Sequence, residues 1–276
     1  MFVPAPEIFK AYDIRGIVGK TLTAEAVRAI GHALGSEAVA RGQQAIAVGR
    51  DGRLSGPALA GALADGIRAA GVDVIDVGCV PTPLTYFAAY ELGTNSCVSV
   101  TGSHNPPDYN GLKMVLGGQT LFGELIQALR QRIIDGNLVT AATPGKLTQA
   151  DVVPAYISKI LGDVKLSRPM KVVMDCGNGV AGAVAPELFK RLGCELVELF
   201  CEVDGNFPNH HPDPGKPENL VDLIAKVKET GADLGLAFDG DGDRVGVVTN
   251  TGENVFADRL LMLFARDVVA RNANAE

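Results

Sequence analysis

The sequence predicts an α/β protein: tandem, similar α/β domains with mixed, largely parallel sheets covered by helices, and a third domain only begun. Three observations carry this. Short β-branched runs alternate with longer stretches of helical periodicity. Many of the 33 glycines sit at the ends of the strand-like runs, where the chain must turn sharply. The alternation breaks at a polar stretch, residues 137–151, and then restarts.

In chain order, residues 45–51, 72–78, 96–100 and 111–115 read as strands, and residues 23–42, 55–71 and 82–93 as helices. Ser55 and Thr82 are N-cap candidates, Pro83 suits a first helical turn, and Gly42, Gly71 and Gly93 suit the position just past a helix end. Such alternation indicates a largely parallel sheet. A helix over 122–136 closes this unit, and the polar stretch places a boundary near 148–151, giving a first domain of 1–150. The second, 151–252, runs helix 151–164, strand 171–175, helix 180–193, strand 194–200, a long loop 204–217, helix 218–231, and strands 233–239 and 244–250. The third, 253–276, holds one amphipathic helix, 257–272. Its apolar face (Leu260, Leu261, Phe264, Val268) has no further strands to pack on. The chain is therefore expected to be the N-terminal portion of a longer protein, with that helix poorly anchored.

Composition narrows the function. With 25 Lys+Arg against 32 Asp+Glu and no basic block, nucleic acid is an unsuitable partner. An apolar content of 47% supports sizeable cores. No apolar run approaches the ~18–20 residues of a membrane helix, so no membrane partner is expected. Glu7 interrupts what would be a signal peptide, and the five scattered cysteines, without C-x-x-C, read as buried thiols in a reducing compartment. A cytoplasmic monomer acting on a small molecule is the expectation.

The strongest chemical signal is FDGDGDR, 238–244. Asp239, Asp241 and Asp243 alternate with two glycines at the end of an apolar strand. Extended residues two apart share a face, and the glycines let the carboxylates converge. Three converging anions repel, which suits a hard divalent cation with oxygen ligands; without one, removing a carboxylate such as Asp241 should relieve strain. An EF-hand fails, because position 6 is Arg244 and position 12 is Asn250. Three ligands leave coordination open for phosphate, favouring Mg²⁺. The second signal is VSVTGSHNPPDYNGLKMV, 98–115, where Ser103 sits on an irregular turn beside His104. A serine lifted on such a turn suits a covalent phosphoryl group; a merely capped turn is the plainer alternative. Lys113, Arg15, Arg244, Arg50 and Arg53 are candidate cations around phosphate. Two further motifs stay open. Gly177, Gly179 and Gly182 satisfy G-x-G-x-x-G, as in a nucleotide-cofactor oxidoreductase. His210-His211 could be a metal pair, though the surrounding prolines favour an ordered interdomain loop.

TGSHNP and DGDGDR, in this order, with AYDIRG, VGRDGRLSG, SHNPPDYNGLK, DCGNG and NFPNHHPDPGKPENL, resemble segments of the α-D-phosphohexomutase superfamily, in its bacterial phosphomannomutase/phosphoglucomutase branch. The resemblance covers essentially the whole chain. It implies four domains around one cleft, a phosphoserine at Ser103, and Mg²⁺ held by Ser103, Asp239, Asp241 and Asp243. It also implies Tyr12, Arg15, His104, Lys113 and Arg244 near the transferring phosphate, with Tyr12, Arg15 and Lys113 touching substrate. The implied reaction interconverts mannose or glucose 1- and 6-phosphates through a bound 1,6-bisphosphate. The family's sugar-reading loop, fourth-domain phosphate loop and third-domain acid/base histidine have no counterpart here. Little mutase activity is thus expected of this chain alone. A non-catalytic phosphosugar- or metal-binding module is the remaining alternative.

Overall fold

A computed structural model describes residues 3–272 and resolves them into two mixed sheets, each covered by helices. The first unit runs β1 (Ile14–Ile17), α1 (Ala24–Ala40), β2 (Ala45–Arg50), α2 (Gly56–Ala69), β3 (Asp73–Cys79), α3 (Thr82–Glu91), β4 (Cys97–Val100), β5 (Tyr109–Leu116), β6 (Gln119–Thr120), α4 (Glu124–Ile134) and β7 (Leu147–Gln149). Its sheet has the order β1-β5-β4-β2-β3-β7, with β6 paired to β5. The centre is parallel (β4, β2, β3, β7), and β5 runs antiparallel to both β1 and β4. β2 and β4 are buried on both faces, which is why they read as continuous apolar runs rather than alternating ones.

One core lies between this sheet and α1, α2 and α4, around Ile30, Leu34, Leu63, Ile67, Ile126 and Leu129. Each such fully buried side chain stabilises the unit by ~1.5–3 kcal/mol. A second core, on the opposite face, joins the two units: Leu84 and Ala88 of α3 pack with Val152, Ile157, Val184 and Leu188.

The second unit runs α5 (Val153–Asp163), β8 (Lys171–Asp175), α6 (Ala185–Arg191), β9 (Glu195–Leu199), α7 (Val221–Thr230), β10 (Leu234–Phe238), β11 (Val245–Thr249), β12 (Asn254–Val255) and α8 (Ala257–Arg271). The sheet order is β12-β11-β10-β8-β9. β8 lies parallel to β9 and β10; β10 and β11 form an antiparallel hairpin with residues 239–244 at its turn.

Several sequence-based details differ. The end of AYDIRG, Ile14–Gly16, lies in β1 of the first sheet, and the polar stretch contains an edge strand, β7. The expected helix over 180–193 is a 3-10 segment (Val180–Ala183) followed by α6, because Pro186 has no N–H to donate and Val184 leaves helical geometry at φ −133°. Helix 218–231 likewise starts as a 3-10 segment, Pro217–Leu220. Ser55 makes no side-chain cap; its Oγ accepts from Asn110 Nδ2 at 2.9 Å. Pro81, not Thr82, is the cap residue of α3. β12 joins the second sheet beside β11. On α8 only Leu260 is buried, with Leu261, Phe264 and Val268 at least half exposed. Cys79 is exposed rather than buried, while Cys97 and Cys176 are buried. Among the described residues, no helix is long and apolar enough to cross a membrane.

Candidate active site

The loop after β4 carries Ser103 in the left-handed region (φ +49°), which for a non-glycine residue must be held by its surroundings. Three groups hold it. Ser103 N donates to Thr101 Oγ1 at 2.8 Å, and Thr101 Oγ1 donates to Asp51 Oδ2 at 2.8 Å. Gly102 N donates to the same carboxylate oxygen at 2.9 Å. Arg53, wholly buried, donates to the carbonyls of Ser103 (2.8 Å), Asn105 (2.6 Å), Pro106 (2.5 Å) and Tyr109 (3.0 Å). Burial pushes the Asp51 carboxyl up, with Arg53 pulling the other way. Arg53, proposed from sequence as a phosphate cation, is thus occupied by the loop's backbone. Arg50 lies 3.7 Å from Asp76 and does not line the cleft. The site roles of Asp51 and Thr101 went unrecognised in the sequence, and Thr82 reads there only as a helix cap; an acidic residue between two arginines at a strand end was the available signal for the first.

The β10–β11 turn brings the acidic loop against this serine. Gly240 makes the approach possible, since a Cβ there would lie 2.4 Å from the Ser103 carbonyl oxygen. Ser103 Oγ donates to Asp239 Oδ2 at 2.9 Å. Asp239 and Asp241 are fully buried, Asp243 is exposed, and one carboxylate oxygen from each lies within 4.8 Å of the others. Asp239 Oδ1 accepts the backbone N–H of Asp243 and of Arg244, each at 3.1 Å. Lys113 Nζ bridges Asp241 Oδ2 (2.7 Å) and Asp243 Oδ2 (2.5 Å), and Thr82 Oγ1 donates to Asp241 Oδ2 at 2.6 Å.

These partners divide the titration. Burial, with Asp241 and Asp243 beside it, pushes Asp239 up to about 7. Burial also acts on Asp241, but Lys113 and Thr82 hold it down at about 2. Asp241 Oδ1 is buried with no hydrogen-bond partner. An orphan carboxylate oxygen in an oxygen-only donor set fits a hard divalent cation.

Tyr12, Arg15, Ser103, His104, Lys113, Asp243 and Arg244 all line one cleft of about 510 Å³, joined there by Tyr86 and Lys10. Asp239 and Asp241 are reached through their bonds to Ser103 and Lys113. Tyr12 is largely exposed, whereas Arg15 is nearly buried and pairs with Asp13. Arg15 Nη1 is a buried donor with no acceptor. The Arg244 guanidinium bonds His104 Nδ1. Burial, then Arg244, lowers the His104 pKa. A guanidinium only donates, so His104 Nδ1 accepts and Nε2 carries the ring proton.

The two open motifs are absorbed by packing. Gly179 abuts Gly240, and a Cβ on Gly182 would lie 1.9 Å from the Cys201 carbonyl oxygen, so these glycines seat the acidic loop and the 3-10 segment. His210 Nε2 bonds Asp175 at 2.9 Å, and His211 Nε2 donates to the His104 carbonyl at 2.5 Å. His211 therefore braces the Ser103 loop from the second unit, while His210 holds the end of β8.

Residues 6–138 match the family description "Phosphoglucomutase/phosphomannomutase, alpha/beta/alpha domain I", and residues 154–252 match "alpha/beta/alpha domain II". A Phosphomannomutase/phosphoglucomutase of Pseudomonas aeruginosa is 62% identical over 269 residues, covering 98% of this chain and 58% of that protein. A Phosphoglucomutase of Neisseria gonorrhoeae is 56% identical over 98% of this chain and 59% of its own length. The crystal structure of a Phosphoglucomutase/phosphomannomutase family protein from Burkholderia thailandensis superposes with a TM-score of 0.93 at 59% identity, covering 98% of this chain and 60% of that one. The chain thus spans somewhat under two thirds of these relatives.

Proposed function

The chain belongs to the phosphoglucomutase/phosphomannomutase family, and on that premise we propose that it carries the phosphoryl-transfer half of a hexose phosphate mutase. We divide it into domains 1–150 and 151–252 and a third segment, 253–276. The observation that carries the proposal is the 2.9 Å bond from Ser103 Oγ to Asp239, which puts a cleft-lining hydroxyl on an acidic triad. A phosphate on Ser103 would add ~1.5–2 negative charges to three carboxylates, so a cation is needed. Ser103 Oγ, Asp239, Asp241 and Asp243 are the groups that would hold Mg²⁺. When bound, it supplies charge neutralisation and polarises the phosphoryl group.

The remaining work belongs to the chain's own side chains. Arg53 and Asp51 fix the backbone that aims Ser103. Lys113, Arg15 and Arg244 spread the phosphate charge, and Arg15 Nη1 has a free donor for it. His104 Nε2–H is a further donor. In the transfer, a hydroxyl oxygen of a hexose monophosphate bonds to phosphorus as the P–Oγ bond breaks, and the hydroxyl proton ends on Ser103 Oγ. The hexose 1,6-bisphosphate then reorients; Ser103 Oγ bonds to its other phosphorus as the sugar O–P bond breaks, and the Ser103 proton passes to the freed sugar oxygen, giving mannose or glucose 1- and 6-phosphate interconversion.

The test is to incubate the chain with Mg²⁺ and glucose 1,6-bisphosphate and measure intact mass. A gain of about 80 Da, lost in Ser103→Ala, is expected for one phosphoserine. No gain, or the same gain in Ser103→Ala, would refute the phosphoserine and leave a binding-only module.

A further inference from the structure

The second unit holds a pair of thiols that phosphoryl transfer does not use. Cys176 follows β8 and is fully buried; Cys201 follows β9 and is half-buried. Their sulfurs lie 3.4 Å apart. The strand ends run side by side to this point: Cys176 N donates to the Leu199 carbonyl at 3.1 Å and Asn178 N to the Phe200 carbonyl at 2.8 Å. Phe200 is left-handed (φ +51°), and it is the residue that turns the chain between the β9 ladder and Cys201. The Cys201 backbone is pressed against Gly182, where even a Cβ would not fit. The two sulfurs are thus held together by paired backbone on both sides.

We propose that Cys176 and Cys201 are a peroxide-oxidisable dithiol that closes to an intramolecular disulfide. A disulfide needs sulfurs at ~2.05 Å, so each moves by well under 1 Å from the present 3.4 Å separation. Cys201 is the attacking sulfur, being the accessible one. The hydrogen bond with Cys176 lowers its pKa, and the same bond raises that of Cys176. The Cys201 thiolate bonds to one oxygen of hydrogen peroxide, the O–O bond breaks, and the departing hydroxide takes a proton to become water. The Cys176 sulfur then bonds to the Cys201 sulfur, the S–OH bond breaks, and that hydroxide takes the Cys176 proton. One peroxide is reduced to two waters while two thiols are oxidised to one disulfide.

The position gives the bond a consequence. The Cys176 carbonyl accepts Gly179 N at 2.7 Å, and the next residue, Val180, donates to the Gly240 carbonyl at 3.1 Å. The dithiol is therefore one turn from the acidic loop.

The experiment treats the native chain with a small excess of hydrogen peroxide, alkylates it under denaturing conditions, and digests it with trypsin. Cys176 falls in peptide 172–190, and Cys201 shares 192–226 with Cys194. The expected result is loss of two alkylatable thiols, a mass decrease of about 2 Da, and a dithiothreitol-reversible link between the two peptides. The link should persist in Cys194→Ser and vanish in Cys201→Ser, which leaves the buried Cys176 packing intact. In Cys176→Ser, dimedone should trap a sulfenic acid on Cys201. Peroxide treatment that leaves Cys176 alkylatable while Cys201 becomes a sulfinic acid would overturn the proposal, as would a link that survives in Cys201→Ser. Thiol counting needs no turnover, so this outcome is independent of the mutase reading.

Discussion

Asp239 and Asp241 share a loop and a residue type and are both fully buried, yet their surroundings pull them apart. Lys113 and Thr82 both serve Asp241, and Asp239 is left to its carboxylate neighbours. The sequence suggests that losing Asp241 should relieve repulsion; the partners locate that relief at Asp239. A folded pKa raised from 3.8 to about 7 means that the folded protein binds more protons than the unfolded one across that window. Asp239 therefore costs metal-free stability as pH rises from about 4 to about 7. Asp239→Asn should remove this slope and raise the metal-free melting temperature at pH 8, read by thermal melts in EDTA. Asp241 has the opposite sign: its contribution is present above 3.8 and is lost as pH falls towards about 2. Asp241→Asn should accordingly destabilise the metal-free chain by ~1–3 kcal/mol, by weakening a buried charge-assisted bond. An increase in stability there would contradict this division of labour. The acidic triad and Ser103 were legible in the sequence because glycine spacing and a strand end advertise them. Their unequal titration was not, because it depends on Lys113 and Thr82, 128 and 159 positions from Asp241 along the chain.

At the element scale, the start of α3 does more than begin a helix. Thr82 N donates to the Asp241 carbonyl at 2.9 Å while its hydroxyl reaches the carboxylate, so the first turn of α3 clamps a loop of the other unit. Thr82→Val keeps the shape but removes the hydroxyl bonds to Asp241 and, at 2.8 Å, to Ser99 Oγ. We expect ~1–3 kcal/mol of lost stability, read by urea unfolding, together with weaker Mg²⁺ binding by calorimetry. The end of β8 is braced similarly by His210 on the buried Asp175. Burial lowers the His210 pKa, but the bonds to Asp175 and the His211 carbonyl outweigh it, and the net shift is upward from 6.5. A raised histidine stabilises fully below its unfolded value, and that stability is lost as pH climbs from 6.5 through the higher folded value. His210→Ala should flatten the stability profile in that range. A parallel loss in both proteins would refute the ion pair. The alternation of strands and helices was readable, since period and turn residues are local. What was misread, the cap of α3 and the broken helix before α6, turned on Pro81 and Pro186 and on a tertiary bond that outcompetes a local cap.

Across the whole molecule, no single unit owns the site. The first supplies Ser103, His104 and Lys113; the second supplies the triad and Arg244, and His211 ties the two together at the His104 carbonyl. Arg53 adds a cation–π contact to the Phe207 ring, 5.2 Å away across the same junction. The residues mark both loops and the family resemblance implies that they meet; what the sequence does not show is how their backbones fit, which rests on Gly240 allowing one against the other. A cation binding at this junction should stabilise both units at once, so Mg²⁺ should raise a single cooperative melting transition rather than one of two. The most direct test of the shared site is phosphorus NMR of the chain phosphorylated on Ser103, with Mn²⁺ in place of Mg²⁺. The phosphoserine resonance should broaden beyond detection at one equivalent of Mn²⁺ and return with EDTA, in the wild type but not with Asp239 and Asp241 both changed to Asn. A resonance that stays sharp while Mn²⁺ is bound would place the cation away from Ser103 and contradict the account.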